Sequence, residues 1–203
     1  MFSLFSLAIL ILSIVIHEVA HGLAALSQGD QTAKYQGRLT LNPLKHIDPV
    51  GSVIVPLLCA MLPGSMMFGW AKPVPYNPYN MRNGRKSELL VAFAGPASNL
   101  IIALFCGLII RFLGPSGMPV ATLTILSATV LINIVLAIFN LTPLPPLDGS
   151  KILLNLIPKI SHKIQDFFEK YGIFATIIFI FFIWQFFTPL IVILFKLITG
   201  LSI

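Results

Sequence analysis

His17-Glu18-Val19-Ala20-His21 sets two imidazoles four residues apart, with a carboxylate beside the first. On a helix, residues i and i+4 lie one above the other, so both histidines can grip one divalent cation while the glutamate reaches water activated there. The pentapeptide stands near the end of an apolar run, Phe2 to Leu26. Charged side chains in such a run cost about 2.5–3.5 kcal/mol each on insertion scales, so three ionisable residues together point to function. A structural polar patch between helices accounts for one such residue better than for three.

A catalytic zinc takes three protein ligands and leaves a position for water. The remaining pool is small: His46, His162, Asp30, Asp48, Asp148, Asp166, Glu88, Glu169, Cys59 and Cys106. His46, Asp30 and Asp48 follow the first run, and His162, Asp166 and Glu169 lie in a Lys-rich amphipathic segment. These read as solvated or interfacial side chains. Glu88 opens a later apolar run, where a carboxylate suits a helix N-terminus. The two cysteines sit far apart in apolar stretches and read as small buried hydrophobes. Asp148 is left, in Asn140-Leu-Thr-Pro-Leu-Pro-Pro-Leu-Asp-Gly149, whose prolines unwind the backbone and can turn a side chain toward a buried site. Its alternative role is an N-cap for a short helix from Gly149. Asn140 is a candidate donor to a developing oxyanion, with an interhelical hydrogen bond as the alternative, and Asn133 on the same face reads as structural.

Groups of this kind need elements to hold them. The chain has 203 residues, 57% hydrophobic and 10% charged, with mean hydropathy +0.93, against about 25% charged in ordinary soluble domains. A water-soluble globule is excluded, and the bilayer is the solvent. The net charge of +6 does not indicate a nucleic-acid partner, because the Lys and Arg residues lie between apolar runs, where they set topology. No basic residue precedes Lys34, so the first run does not read as a cleaved signal peptide.

The fold class is therefore an all-α polytopic membrane protein with about four to six transmembrane helices. Spans are expected near 2–26, 88–112 and 119–141, forming a core over 1–157. Between the first two, Asp48-Pro49 opens the run 50–68 as N-cap and first helical residue. Pro56 and Pro63-Gly64 interrupt it, giving a kinked span or a re-entrant element. Tyr35 to Asn42 alternates and predicts a small β-strand, and the prolines of Gly69 to Pro78 permit an extended edge segment. Trp70, Tyr76 and Tyr79 read as interfacial aromatics. Residues 158–203 read as an amphipathic linker and one or two C-terminal transmembrane segments around Pro189. If 50–68 does not cross, all Lys and Arg up to Lys170 share one side except Arg111, and that asymmetry marks a cytosolic face.

His-Glu-Val-Ala-His in the first span, Ala94-Gly-Pro-Ala-Ser-Asn99 in a later one and Asn140 to Gly149 after the next resemble the site-2 protease family of intramembrane zinc metalloproteases, peptidase family M50. The likeness runs from Phe2 to Leu156 in order and spacing, and the final apolar segment carries no motif. It implies one Zn²⁺ per chain on His17, His21 and Asp148, with Glu18 as general base and acid. It favours Asn140 beside the oxyanion and puts Gly95, Pro96 and Asn99 on the substrate path. The implied activity is hydrolysis of peptide bonds in or near transmembrane segments of membrane-protein substrates, in the cell membrane and near its cytosolic side. The expected form is the compact core, without a PDZ or CBS domain. The expected partners are such a substrate and the bilayer.

A helical substrate hides its amides and must unwind, and the edges of Tyr35 to Asn42 and Gly69 to Pro78 could receive it as an added strand. A membrane zinc transporter or a non-catalytic membrane scaffold fits less well. The first needs further ligands along a path, and the second needs no complete ligand set.

Overall fold

The computed structural model describes residues 4–54, 71–157, 170–172 and 174–201. Helix α1 runs Leu4–Ser27 and a single turn, α2, covers Thr32–Tyr35. A 3-10 turn at Pro43–His46, a π turn at Pro49–Ile54 and a 3-10 turn at Pro78–Asn80 lead to α3, Arg85–Leu113. Gly117, at φ 92°, turns the chain in the left-handed region that glycine adopts without strain, so α4, Val120–Leu141, returns beside α3. Helix α5, Asp148–Leu156, follows a proline-rich loop. The C-terminal stretch is helical at 170–172 and 174–178, loosens into a π turn at Phe179–Ile183, tightens into a 3-10 turn at Trp184–Phe187, and ends in α6, Thr188–Thr199. Pro189 has no N–H to give the preceding turn, and it stands in the first turn of α6, where that donor is not needed.

Four stretches are long and apolar enough to cross a bilayer: Leu4–Ser27, Arg85–Ser116, Val120–Leu141 and Lys170–Thr199. The protein is an integral membrane protein of all-α class. Ala103 and Ile110 of α3, Val130 and Ile134 of α4, and Ile191 and Phe195 of α6 form an apolar cluster. Gly107 admits α6 closely, since a Cβ there would collide with Ile198. The Arg111 guanidinium donates to the Leu197 carbonyl and ties the end of α3 to the end of α6.

The strand expected at Tyr35 to Asn42 does not form, and there is no strand among the described residues. Alternation alone did not supply a partner edge. The Asp30 carboxylate accepts from Thr32 N and starts a turn instead, Gly37 reverses the chain at φ 61°, and Tyr35 and Leu41 point into the surroundings rather than a core. Asp48 does open the next element, accepting from Val50 N at 3.0 Å and Gly51 N at 2.7 Å. The rest of 50–68 beyond Ile54, together with Cys59, Trp70, His162, Asp166 and Glu169, lies outside the described residues.

Candidate metal centre

Ser13, His17 and His21 recur every fourth residue and so form one stripe on α1, buried while Ile11, Leu12 and Leu23 face outward. Helix α3 crosses that stripe at Gly95. A Cβ at that position would collide with His21 Nε2 and lie 2.6 Å from His17 Nε2, so only glycine lets the two imidazoles occupy this space. Pro96 follows inside α3 and is fully buried. Its missing N–H leaves the Ala92 carbonyl without its usual intrahelical partner.

His21 Nδ1 lies 2.7 Å from the Val91 carbonyl, which can only accept, so this nitrogen carries the proton and Nε2 offers a lone pair. His21 Nε2 is 3.0 Å from His17 Nε2 and 3.1 Å from Asp148 Oδ2, and His17 Nε2 is 3.1 Å from the same oxygen. Histidine lone pairs and an ionised carboxylate crowded together out of water repel one another unless a cation lies among them. Tetrahedral zinc with bonds of about 2.0–2.1 Å separates its ligand atoms by about 3.3 Å, close to this triangle. The donor set fits one Zn²⁺.

Asp148 reaches the histidines because the loop before it folds back. Leu147 holds the N-cap position of α5, and Asp148 is the first helical residue, so the capping alternative does not apply. A Cβ at Gly149 would collide with the carbonyl oxygens of Leu141 and Thr142, which explains the glycine after the aspartate. The C-terminal stretch braces this loop: Thr176 Oγ1 donates to the Pro145 carbonyl at 2.6 Å, and a Cβ at Gly172 would lie 2.7 Å from Pro145 Cβ. These two residues were not legible in the sequence, since that segment carries no motif.

Glu18 is half-buried, and its Oε2 accepts from Val74 N at 2.8 Å. Residues 71–77 have no helix or strand and lie along α1 as a strap. Gly22 makes room for it: a Cβ there would lie 2.8 Å from Val74 Cγ1. The Arg38 guanidinium donates to the Lys72 carbonyl at 2.9 Å, and Asp30 accepts from Asn77 N at 2.6 Å and Asn80 Nδ2 at 3.0 Å. Burial alone would raise the Asp30 carboxyl, but the hydrogen bonds from Thr32, Asn80 and Asn77 outweigh it and hold the group below the usual carboxylate range. Asp30 and His46 are thus not solvated as the sequence suggested. Both are fully buried, and His46 Nε2 donates to the Thr40 carbonyl at 2.9 Å.

The structure brings His17, His21 and Asp148 together as the one metal-type cluster among the described residues. Gly95 and Pro96 are buried, Gly95 against the imidazoles. Asn99 is fully buried with its Oδ1 2.6 Å from His17 Nδ1, behind the histidine rather than on an open path. Asn140 is turned aside: its amide donates to the Leu136 carbonyl at 3.0 Å, one turn back on α4. Asn133 makes the interhelical hydrogen bonds, from Asn99 Nδ2 at 2.9 Å and to Ser13 Oγ at 2.9 Å.

The model of Peptidase family M50 matches residues 117–183, a stretch that includes Asp148. The chain is 40% identical over 187 residues to "Putative zinc metalloprotease YwhC" of Bacillus subtilis, covering 89% of this chain and 79% of that protein. It is 34% identical over 144 residues to "Putative zinc metalloprotease Rip2" of Mycolicibacterium smegmatis, covering 68% of this chain and 52% of the relative. A Mycobacterium tuberculosis protein of the same name is 32% identical over 144 residues, with the same coverage of 68% and 52%. The chain therefore spans about half the length of the Rip2 proteins. No solved structure matches it. The agreement extends over 89% of this chain and 79% of the Bacillus relative, and on that ground the chain belongs to peptidase family M50.

Proposed function

We propose that this chain is a zinc-dependent endopeptidase of site-2 type, hydrolysing peptide bonds in or near transmembrane segments of membrane-protein substrates. One observation carries the reading: the acceptor atoms of His17, His21 and Asp148 converge, buried, on a membrane-spanning helix that also carries Glu18. Bound Zn²⁺ supplies Lewis-acid chemistry, acidifying water and polarising the scissile carbonyl. Glu18 takes the proton and returns it to the leaving amine. The Val74 N–H holds one of its oxygens and so sets the direction in which the other faces.

Ser27 ends α1 ten residues beyond His17, about 15 Å along the axis, which supports a site below one membrane surface. The basic residues that follow the end of α1 and stand at the start of α3 support assigning that surface to the cytosol, in the cell membrane. An unwound substrate would lie beside the strap 71–77, close to Glu18. A transporter would want further ligand clusters along a path, and among the described residues there is one.

Reconstitution with a panel of single-span substrates tests the proposal. Wild type should cleave at least one, and Glu18→Gln should keep stoichiometric zinc while turnover falls about 10²–10⁴-fold. Cleavage by Glu18→Gln at the wild-type rate overturns the assigned base. Zinc-loaded wild type that cuts no member of the panel overturns the substrate class.

A further inference from the structure

We propose that Asn99 and Asn133 are positioning residues that fix the tautomer of His17, and that the direction of the whole hydrogen-bond chain is set at the main-chain carbonyl of Thr129. The proposal rests on the metal-site reading above, and it stands apart from whether the protein cuts peptides.

A buried carboxamide presents two donors on nitrogen and an acceptor on oxygen, so its orientation follows from what surrounds it. The Thr129 carbonyl can only accept, and the Asn133 side chain meets it at 2.9 Å. That contact must be Nδ2. The second Asn133 proton goes to Ser13 Oγ at 2.9 Å, so both amide protons are committed and Oδ1 is the atom that faces Asn99. An oxygen without a proton requires a donor opposite it, which makes the Asn99 atom at 2.9 Å its Nδ2. Asn99 Oδ1 is then left at 2.6 Å from His17 Nδ1, and this contact requires a proton on the imidazole. His17 is thereby the Nδ1–H tautomer, with the lone pair of Nε2 directed at His21 and Asp148.

Reversing either amide would set two donors or two acceptors face to face among residues with no access to water, because Asn99 and Asn133 are both 0% exposed. His21 reaches the same protonation state by a shorter route, directly against the Val91 carbonyl. Two ligands on one helix are thus polarised alike, one by a main-chain carbonyl in direct contact and the other by a main-chain carbonyl relayed through two side chains. Partners of this kind hold a ligating imidazole in orientation and raise its basicity, and their loss costs about 10–100-fold in metal affinity.

The chain makes a claim that simple packing does not. A carboxylate at position 99 has only acceptors, so it holds the His17 proton whichever way residue 133 is turned. In an Asn99→Asp background, residue 133 should therefore cease to matter for His17.

Two readouts on the full chain in lipid nanodiscs test this, neither requiring a substrate. Nitrogen-15 NMR of histidine-labelled, metal-free protein distinguishes protonated from bare ring nitrogens, with His17 assigned by its disappearance in His17→Ala. Competition with a chelator gives zinc affinity. At a pH alkaline enough that no proton stands in for the metal among His17, His21 and Asp148, wild type should show a single Nδ1–H tautomer at His17. Asn133→Leu, close in volume and apolar, should give a mixture of tautomers and zinc affinity about 10-fold lower, and Asn99→Leu a loss toward 100-fold. The same Asn133→Leu change on Asn99→Asp should alter the His17 signals and the affinity by less than 2-fold. A His17 tautomer and zinc affinity unmoved by Asn133→Leu overturn the proposal. So does a full 10-fold loss from Asn133→Leu in the Asn99→Asp background, which would mark residue 133 as packing alone. Failure of all substrates to be cut would leave these readouts untouched.

Discussion

The hairpin of α3 and α4 has two working faces, and they are built on opposite principles. Toward α1 it presents Gly95, Asn99 and Asn133, whose contacts are directional hydrogen bonds and one close backbone approach. Toward α6 it presents Ala103, Ile110, Val130 and Ile134, which pack without any polar contact between them. In lipid the apolar face gains nothing from leaving water, so it holds by dispersion and close fit, and a small loss of fit is tolerated. The polar face has no such tolerance, because each atom there has a required sign. One helix pair thus carries a permissive anchor and an exacting site, which on α3 succeed one another along the axis, Gly95 and Asn99 first and Ala103 and Ile110 beyond them.

The contrast can be broken by substitutions of equal size on the two faces. The largest effect is expected at Gly95→Ala: the added methyl enters the space of the His17 and His21 imidazoles, and elemental analysis should find no stoichiometric zinc in protein that remains helical. Stoichiometric zinc there would show that the polar face yields after all. Gly107→Ala adds the same methyl on the other face, against the Ile198 side chain, and should cost about 1–3 kcal/mol in thermal unfolding while zinc affinity stays unchanged. Asp30→Ala removes the acceptor of Asn77 N and should cost about 1–3 kcal/mol. Because the folded carboxyl is held below its unfolded value, its contribution is present above the ordinary carboxylate range and is lost as pH falls through the lowered value. The acid limb of a stability profile should therefore flatten in Asp30→Ala. The smallest change, Ile134→Val, should cost about 0.5–1.5 kcal/mol and leave zinc binding alone.

The legible part of this molecule is the part written in local spacing. Residues i and i+4 of a helix announce His17 and His21, and counting the remaining ligands leads to Asp148 without any knowledge of the fold. The spans follow from run length for the same reason. Tyr35 to Asn42 misleads because alternation is a necessary condition for a strand and a partner edge is the sufficient one, and sequence displays only the first. Asp30 misleads in the opposite sense: an acidic residue after a span looks solvated until Thr32, Asn77 and Asn80 are seen to converge on it. Asn99 is visible as a residue type in Gly-Pro-Ala-Ser-Asn, yet the orientation of its amide depends on Thr129, thirty positions away and chemically unremarkable in the sequence. Thr176 and Gly172 lie farther still from any motif, since their role is to support a proline loop.

The tight seat of Gly149 beneath the carbonyls of Leu141 and Thr142 has a mechanical consequence. It seats the first turn of α5, which carries Asp148, directly against the end of α4, the helix that bears Asn133. The three candidate ligand side chains are thus divided between two places, with both imidazoles on α1 and the carboxylate at the start of α5. The distance between carboxylate and imidazoles is therefore fixed by how α4 and α5 pack against α1, and any substitution that opens the seat of Gly149 moves Asp148 away from both histidines at once.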